Sequence, residues 1–232
     1  MTDNSSFRKR DRQIVDFVAR HRIASNEVLH KLYFTGSKRN AVTKVTARLC
    51  KANWLCQYPL YHPRHYFTLG PLAASRLGIR QQRTGPLGPQ SLPIEYAALM
   101  YSFGKSNHMR LTSTELQQRF PHLAGPLADF PYCIDSSGVV DVLDLLRIDL
   151  GGKPDYVARK CKSDVDARLG SPTFATSIKE GRFRHVVITG TAEKASLIQR
   201  ALEQHIWPDG MSLHLAVVPE LLQLTARINH GA

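Results

Sequence analysis

The chain has 232 residues, with 31 Lys+Arg against 19 Asp+Glu and a formal net charge of +12. A length of this order makes one large domain or two small ones, and 43% hydrophobic with 22% charged residues excludes general disorder and a fibrous repeat. No apolar run reaches the ~18 residues of a spanning helix, and the opening MTDNSSFRKRDRQ has no apolar signal core, so a cytoplasmic protein without a membrane partner is expected.

The first elements carry the charge. Residues 1–90 hold 16 Lys+Arg and 4 Asp+Glu, whereas residues 91–232 hold 15 of each, so the whole excess lies in the first two-fifths of the chain. Such segregation is the electrostatic footprint of a polyanion binder. Ile14, Val15, Phe17 and Val18 fall at helical spacing and predict a helix over 8–20. Ser25 caps a second, short helix with Val28, Leu29 and Leu32 as its apolar stripe. After the turn Thr35-Gly36-Ser37, Ser37 is expected to cap a third helix, SKRNAVTKVTARLCKANWL, anchored by Val42, Val45 and Leu49.

The other face of that helix carries Arg39, Asn40, Thr43, Lys44, Ala47 and Arg48, and no carboxylate occurs between Lys31 and Lys51. Arg, Asn, Thr and Lys are the side chains that bond base edges and phosphates in a major groove. Leu55 to Tyr58 reads as a strand, Pro59 to Arg64 as a turn and His65 to Leu69 as a return strand. Gly70-Pro71 opens a further helix. Helices, hairpin and helix in this order make a winged helix. The wing tip holds Tyr61, His62, Pro63 and Arg64, with Arg64 placed for a phosphate or the minor groove, and Trp54 plugs the core at the helix-to-wing junction. The expected DNA-binding residues are Ser37, Lys38, Arg39, Asn40, Thr43, Lys44, Arg48, Lys51, His62 and Arg64.

The segments SKRNAVTKVTARLCKANWL and HYFTLGPLAASRLG resemble the winged-helix region of the replication-relaxation proteins of plasmids and other bacterial mobile elements. Gly70-Pro71-Leu72-Ala73 matches in part the glycine-containing end of that family's wing, and the resemblance covers residues 8–80. It implies DNA binding in regulation or plasmid maintenance, and no catalytic residue.

Residues 81–93 read as a linker rich in Gly, Pro and Gln. An apolar helix from Pro93 to Phe103, with Tyr96, Ala97, Leu99, Met100 and Phe103, is suited equally to a dimer contact and to ordinary packing. SNHMRLTSTELQQRF reads as a short helix with Thr112 or Ser113 before Glu115. From Tyr132 the pattern is α/β: strands at Tyr132–Asp135 and Val139–Asp149, a helix from Pro154 to Gly170, a helix over 172–180, a strand at His185–Thr189, a helix capped by Thr191, a strand at Leu213–Val218 and a terminal helix from Pro219.

This order resembles the core of restriction-endonuclease-like domains, which implies two carboxylates holding Mg²⁺ and a lysine in an acid-x-Lys triplet. Asp135 and Asp149 are the candidate acids, but no Asp or Glu stands two residues before any Lys, which leaves Lys160 of the following helix as the only substitute. Asp141, Asp144 and Asp149 read better as solvent-side residues of a half-buried strand. GGKPD (151–155) lacks Walker spacing and reads as a turn.

The expected architecture is therefore α+β: a winged helix-turn-helix over 1–80, a linker over 81–93 and a smaller α/β domain over 94–232, read as a degenerate restriction-endonuclease-like core. The expected function is sequence-specific binding of double-stranded DNA by a homodimer, as a transcriptional regulator or a replication or maintenance factor. No enzyme activity, catalytic residue, cofactor or metal is expected. The alternatives are a metal-dependent nuclease with a winged-helix targeting module and a scaffold for replication or conjugation proteins.

Overall fold

The computed structural model describes residues 7–79, 84–104, 107–123 and 125–229. Residues 81–83 of the expected linker, Arg80 and Ser106 lie outside the described residues. The chain divides into two compact units, 1–88 and 89–232, and the second is the larger, against the expected smaller domain. Both mix helix and strand, and no described helix is long and apolar enough to cross a membrane.

The first unit opens with α1 (Lys9–His21). Ile14, Val15 and Val18 put its apolar stripe in the core. Asp11 anchors its start: one carboxylate oxygen accepts from the Arg8 backbone N–H at 2.8 Å, and the other from Arg48 Nη2 at 2.6 Å. β1 (Ala24–Ser25) leads into α2 (Asn26–Tyr33), where the Ser25 hydroxyl accepts from Val28 N–H as a cap. Leu32, expected in the stripe, is 41% exposed, because the short helix turns only Val28 and Leu29 fully inward.

α3 (Asn40–Lys51) is shorter than expected at both ends. Ser37 does not cap it; its amide bonds the Phe34 carbonyl and its own carbonyl accepts from His30 Nε2, so it closes the preceding turn and leaves Arg39 as the N-cap. β2 (Leu55–Tyr61) and β3 (Arg64–Leu69) form an antiparallel hairpin. Pro59, expected in the turn, lies within β2 beside a register shift, and the turn shrinks to His62-Pro63. β1 adds antiparallel to β3, giving the order β1-β3-β2. Trp54 is half-buried against the core and stacks on Phe7 at 4.2 Å.

The hairpin ends at Gly70, which opens α4 (Pro71–Arg76). Here glycine is required by close approach: a Cβ would sit 2.2 Å from the Asn53 carbonyl oxygen. The contact is fixed from both sides, since Gly70 N–H bonds Trp54 O and Leu72 N–H bonds Asn53 O. Asn53 itself adopts a left-handed φ of 58°, which Asn tolerates. Gly70→Ala must push apart two bonded backbones, so it is expected to destabilise the first unit by about 1–3 kcal/mol, read as a lower urea midpoint at unchanged slope. Thr84 to Leu87 stay with this unit, because Thr84 O accepts from the Tyr58 and Thr68 hydroxyls and Leu87 N–H donates to Tyr66 Oη.

The second unit runs α5 (Ser91–Phe103), β4 (His108–Arg110), α6 (Ser113–Arg119), two 3-10 turns, β5 (Tyr132–Asp135), β6 (Val142–Ile148), α7 (Pro154–Leu169), α8 (Pro172–Lys179), β7 (Phe183–Thr189), α9 (Ala192–Glu203), β8 (Ser212–Val217) and α10 (Leu221–Asn229). His108–Arg110, expected as helix, is a strand pairing with β5, and the helix starts only where Thr112 and Glu115 form a reciprocal cap. The sheet order is β4-β5-β6-β7-β8, antiparallel through β6 and parallel beyond it. Parallel neighbours need crossovers; α7 with α8, and then α9, supply them.

Because side chains alternate along a strand, β6 faces two layers. Leu143 and Leu145 pack with Val165 of α7, Phe174 and Ile178 of α8, and Phe183. Asp144 points the other way, where Tyr101 of α5 donates to it at 2.7 Å. α5 buries Leu92, Glu95, Tyr96, Leu99, Tyr101 and Ser102 on several sides, whereas Met100 and Phe103 are only half-buried, so packing within the second unit accounts for most of its apolar residues.

Candidate nucleic-acid interface

Helical spacing splits α3 into two faces. Val42, Thr46 and Leu49 are buried, and the Thr46 hydroxyl bonds inward to Val42 O and Asn26 Oδ1. The opposite face exposes Asn40, Thr43, Lys44, Arg48 and Lys51, continuing from Ser37, Lys38 and Arg39 in the turn before it. No carboxylate occurs anywhere between Glu27 and Glu95, so the cations of α3 have no acidic neighbour on their own element.

Two expected contact residues are engaged elsewhere. Arg48 bonds Asp11 and ties α3 to α1. Arg64 is half-buried; its Nη1 lies 3.0 Å from Glu27 Oε2 and 2.7 Å from Tyr61 Oη, which leans the turn end of the hairpin onto α2. His62 is exposed at the hairpin tip. A cleft lies between α2, α3 and the hairpin, lined by Asn26, Glu27, His30, Lys31, Arg39, Val42, Thr43 and Arg64. Asn26, His30 and Lys31 were not singled out from the sequence; their signal is the α2 spacing, which sets 26, 27, 30 and 31 on the face opposite Val28 and Leu29.

A second polar cluster is enclosed in the second unit. Asp144 is fully buried and Asp149 nearly so, against their expected place toward solvent. Arg184 explains the first: its Nε lies 2.7 Å from Asp144 Oδ1, and its Nη2 2.7 Å from Asp135 Oδ2. His108 Nε2 is 3.0 Å from the same Asp135 oxygen. Burial pushes the Asp135 carboxyl up, but hydrogen bonds from Ser137 and Arg184 outweigh it and hold the group well below the usual carboxylate range; burial likewise disfavours the charged Arg184, and the two carboxylates outweigh it and raise that group. Asp149 accepts from Gly151 and Gly152 N–H, from Thr189 and from Lys194 Nζ at the other face of the sheet.

The expected acid pair is thus not Asp135 with Asp149 but Asp135 with Asp144. His108, Asp135 and Asp144 bring ligand atoms within 4.8 Å of one another. Those carboxylates already share the Arg184 guanidinium, so a divalent ion must compete with a fixed internal cation for the same oxygens. Leu146, buried two residues after Asp144, stands where an acid-x-Lys triplet has its lysine. Lys160 does not replace it, because α7 packs on the opposite face of the sheet and Lys160 lies over the Tyr156 ring at 5.5 Å.

Comparisons with family models, curated proteins and solved structures gave no match to this chain.

Proposed function

We propose that the protein binds double-stranded DNA through a winged helix-turn-helix in its first unit, with α3 in the major groove and the β2–β3 hairpin as the wing. The observation that carries this reading is the exposed face of α3: Arg39, Asn40, Thr43, Lys44 and Lys51 stand together on a helix that has no carboxylate of its own, within a stretch of sequence free of Asp and Glu from Val28 to Ile94. A face kept merely for solubility has no need to exclude acids, since mixed charges dissolve a surface equally well. Arg39 and Asn40, at the start of the helix, are the base readers, because recognition helices contact base edges with their N-terminal residues. Lys44 and Lys51 take phosphates. The resemblance of residues 8–80 to replication-relaxation proteins supports a role in regulation or maintenance of a mobile element.

The second unit is read as a degenerate restriction-endonuclease-like layout in which the acidic pair serves the core. Arg184 favours this over the nuclease alternative, since it supplies the counter-charge from within the chain.

Fluorescence anisotropy with a labelled duplex tests the DNA reading. About four phosphate contacts predict a fall in affinity of about 10²-fold between 50 and 200 mM salt. Absence of binding at 50 mM, or an affinity indifferent to salt, overturns it.

A further inference from the structure

The two edges of the second unit's sheet are built differently. β4 is three residues long and carries Arg110, two of the devices that keep an edge from pairing with another chain. β8 has none of them. It runs for six residues, Ser212 to Val217, with no charge, no proline and no register shift. Its Val217 is 42% exposed, and Leu213 and Leu215 are only partly buried although they belong to the cluster formed by α7, α9 and β7.

The backbone direction is also fixed. Val218 N–H bonds Thr189 O, so residues of its parity face β7. By alternation, the amides and carbonyls of Leu213, Leu215 and Val217 face away from the sheet. We propose that β8 pairs antiparallel with β8 of a second copy of this chain, about a two-fold axis at Leu215, joining two sheets into one.

The register follows from the geometry. A two-fold perpendicular to the sheet keeps each side chain on its own face, so Leu215 meets the partner's Leu215 and Leu213 meets the partner's Val217. These are the residues with outward backbone groups, and the pairing forms about six backbone hydrogen bonds. On the face of Leu213, Leu215 and Val217 the side chains brought opposite one another are all aliphatic, and they close the open margin of the α9 layer; on the other face His214 meets the partner's Ala216. Any register with the axis at residue 214 makes fewer bonds and leaves Val217 unmatched.

Charge selects the occupant. The first 90 residues carry the entire excess of 12 cations, so two copies of that region repel each other. Residues 91–232 are balanced at 15 of each sign, and β8 itself is neutral. That repulsion comes from the first 90 residues and is screened by salt; at β8 itself a second copy of the strand brings no like charges together and matches it residue for residue. The inference goes beyond the DNA reading and is measured without DNA, so each fails independently.

Sedimentation equilibrium of the full chain at 1–100 μM in 0.5 M salt is the test. The unaltered chain is expected to dimerise, and Val217→Lys to weaken the dimer at least tenfold by placing an ammonium against the partner's Leu213. Val139→Lys, at a fully exposed residue of the β5–β6 connection, is expected to leave it unchanged. In case Val217→Lys disturbs folding, Leu213→Cys with Val217→Cys provides a second readout. Directly opposed residues at such a two-fold lie about 5.5 Å apart, so mild oxidation is expected to give a covalent dimer absent from the unaltered chain. A monomer at 100 μM, a Val217→Lys dimer of unchanged affinity, or a double cysteine variant that does not cross-link overturns the proposal; a monomer also includes the case in which the edge serves a different protein.

Discussion

Arg39→Ala is expected to flatten the base preference of the protein, whereas Lys51→Ala is expected to weaken binding equally on every sequence. The difference follows from where the two side chains stand. Arg39 is the N-cap of α3 and lines the cleft shared with α2 and the hairpin; its planar fork matches a guanine edge, and losing one bidentate contact costs about 1–3 kcal/mol, a fall of about 5- to 150-fold on the preferred duplex. Asn40→Ala is expected to act the same way at a neighbouring base pair. Lys44 and Lys51 are exposed ammonium groups farther along the helix, and as point charges they suit phosphate; each removal is expected to reduce the salt slope by about 1. Arg64→Ala is expected to give a smaller, mixed effect, because its guanidinium is engaged by Glu27 and Tyr61. Competition binding against a randomised duplex pool reads preference and affinity at once. An Arg39→Ala protein with unchanged preference removes α3 as the reader.

What was legible in the sequence was local. Ser25, Thr112 with Glu115 and Thr191 mark helix starts because a cap is satisfied within three residues, and Pro154 does so because its fixed φ suits the first helical position. The spacing of Val42 and Leu49 likewise fixes which face of α3 is exposed. The misreadings have distant partners. β4 is a strand because β5 pairs with it about 25 residues later; three residues carry too little periodicity to announce this. Asp144 looked like the polar half of an alternating strand, and the residue that makes its burial tolerable, Arg184, lies 40 positions on. The engagement of Arg64 by Glu27 is hidden in the same way. Ser37 shows the converse: a good capping residue in the right place is used by the preceding turn instead, since His30 and Phe34 already define that turn.

Arg184→Met is expected to be among the most damaging single changes in the chain, destabilising the second unit by about 3–5 kcal/mol. Methionine fills much of the volume, so packing is not what is lost. The loss is that the Asp144 carboxylate, with no exposed surface, is left without its guanidinium partner, beside the Tyr101 hydroxyl and a His108 ring nitrogen 4.0 Å away. Asp144→Leu in the same background removes that stranded charge, and the double variant is expected to recover most of the stability, as apolar replacement of a buried ion pair commonly does. Acid separates the remaining partner. The folded carboxyl of Asp135 lies below its ordinary value, so its contribution is complete above about pH 4 and is lost as pH falls from there through the lowered value. The Arg184→Met protein is expected to lose part of that acid dependence, because one of the groups that depresses Asp135 is gone. Urea denaturation across pH 3–7 reads both effects. A single variant that costs under about 1 kcal/mol, or a double variant no more stable than the single, means that the Asp135–Arg184–Asp144 cluster is not what holds the core of the second unit. The acidic pair is then open to a role other than packing.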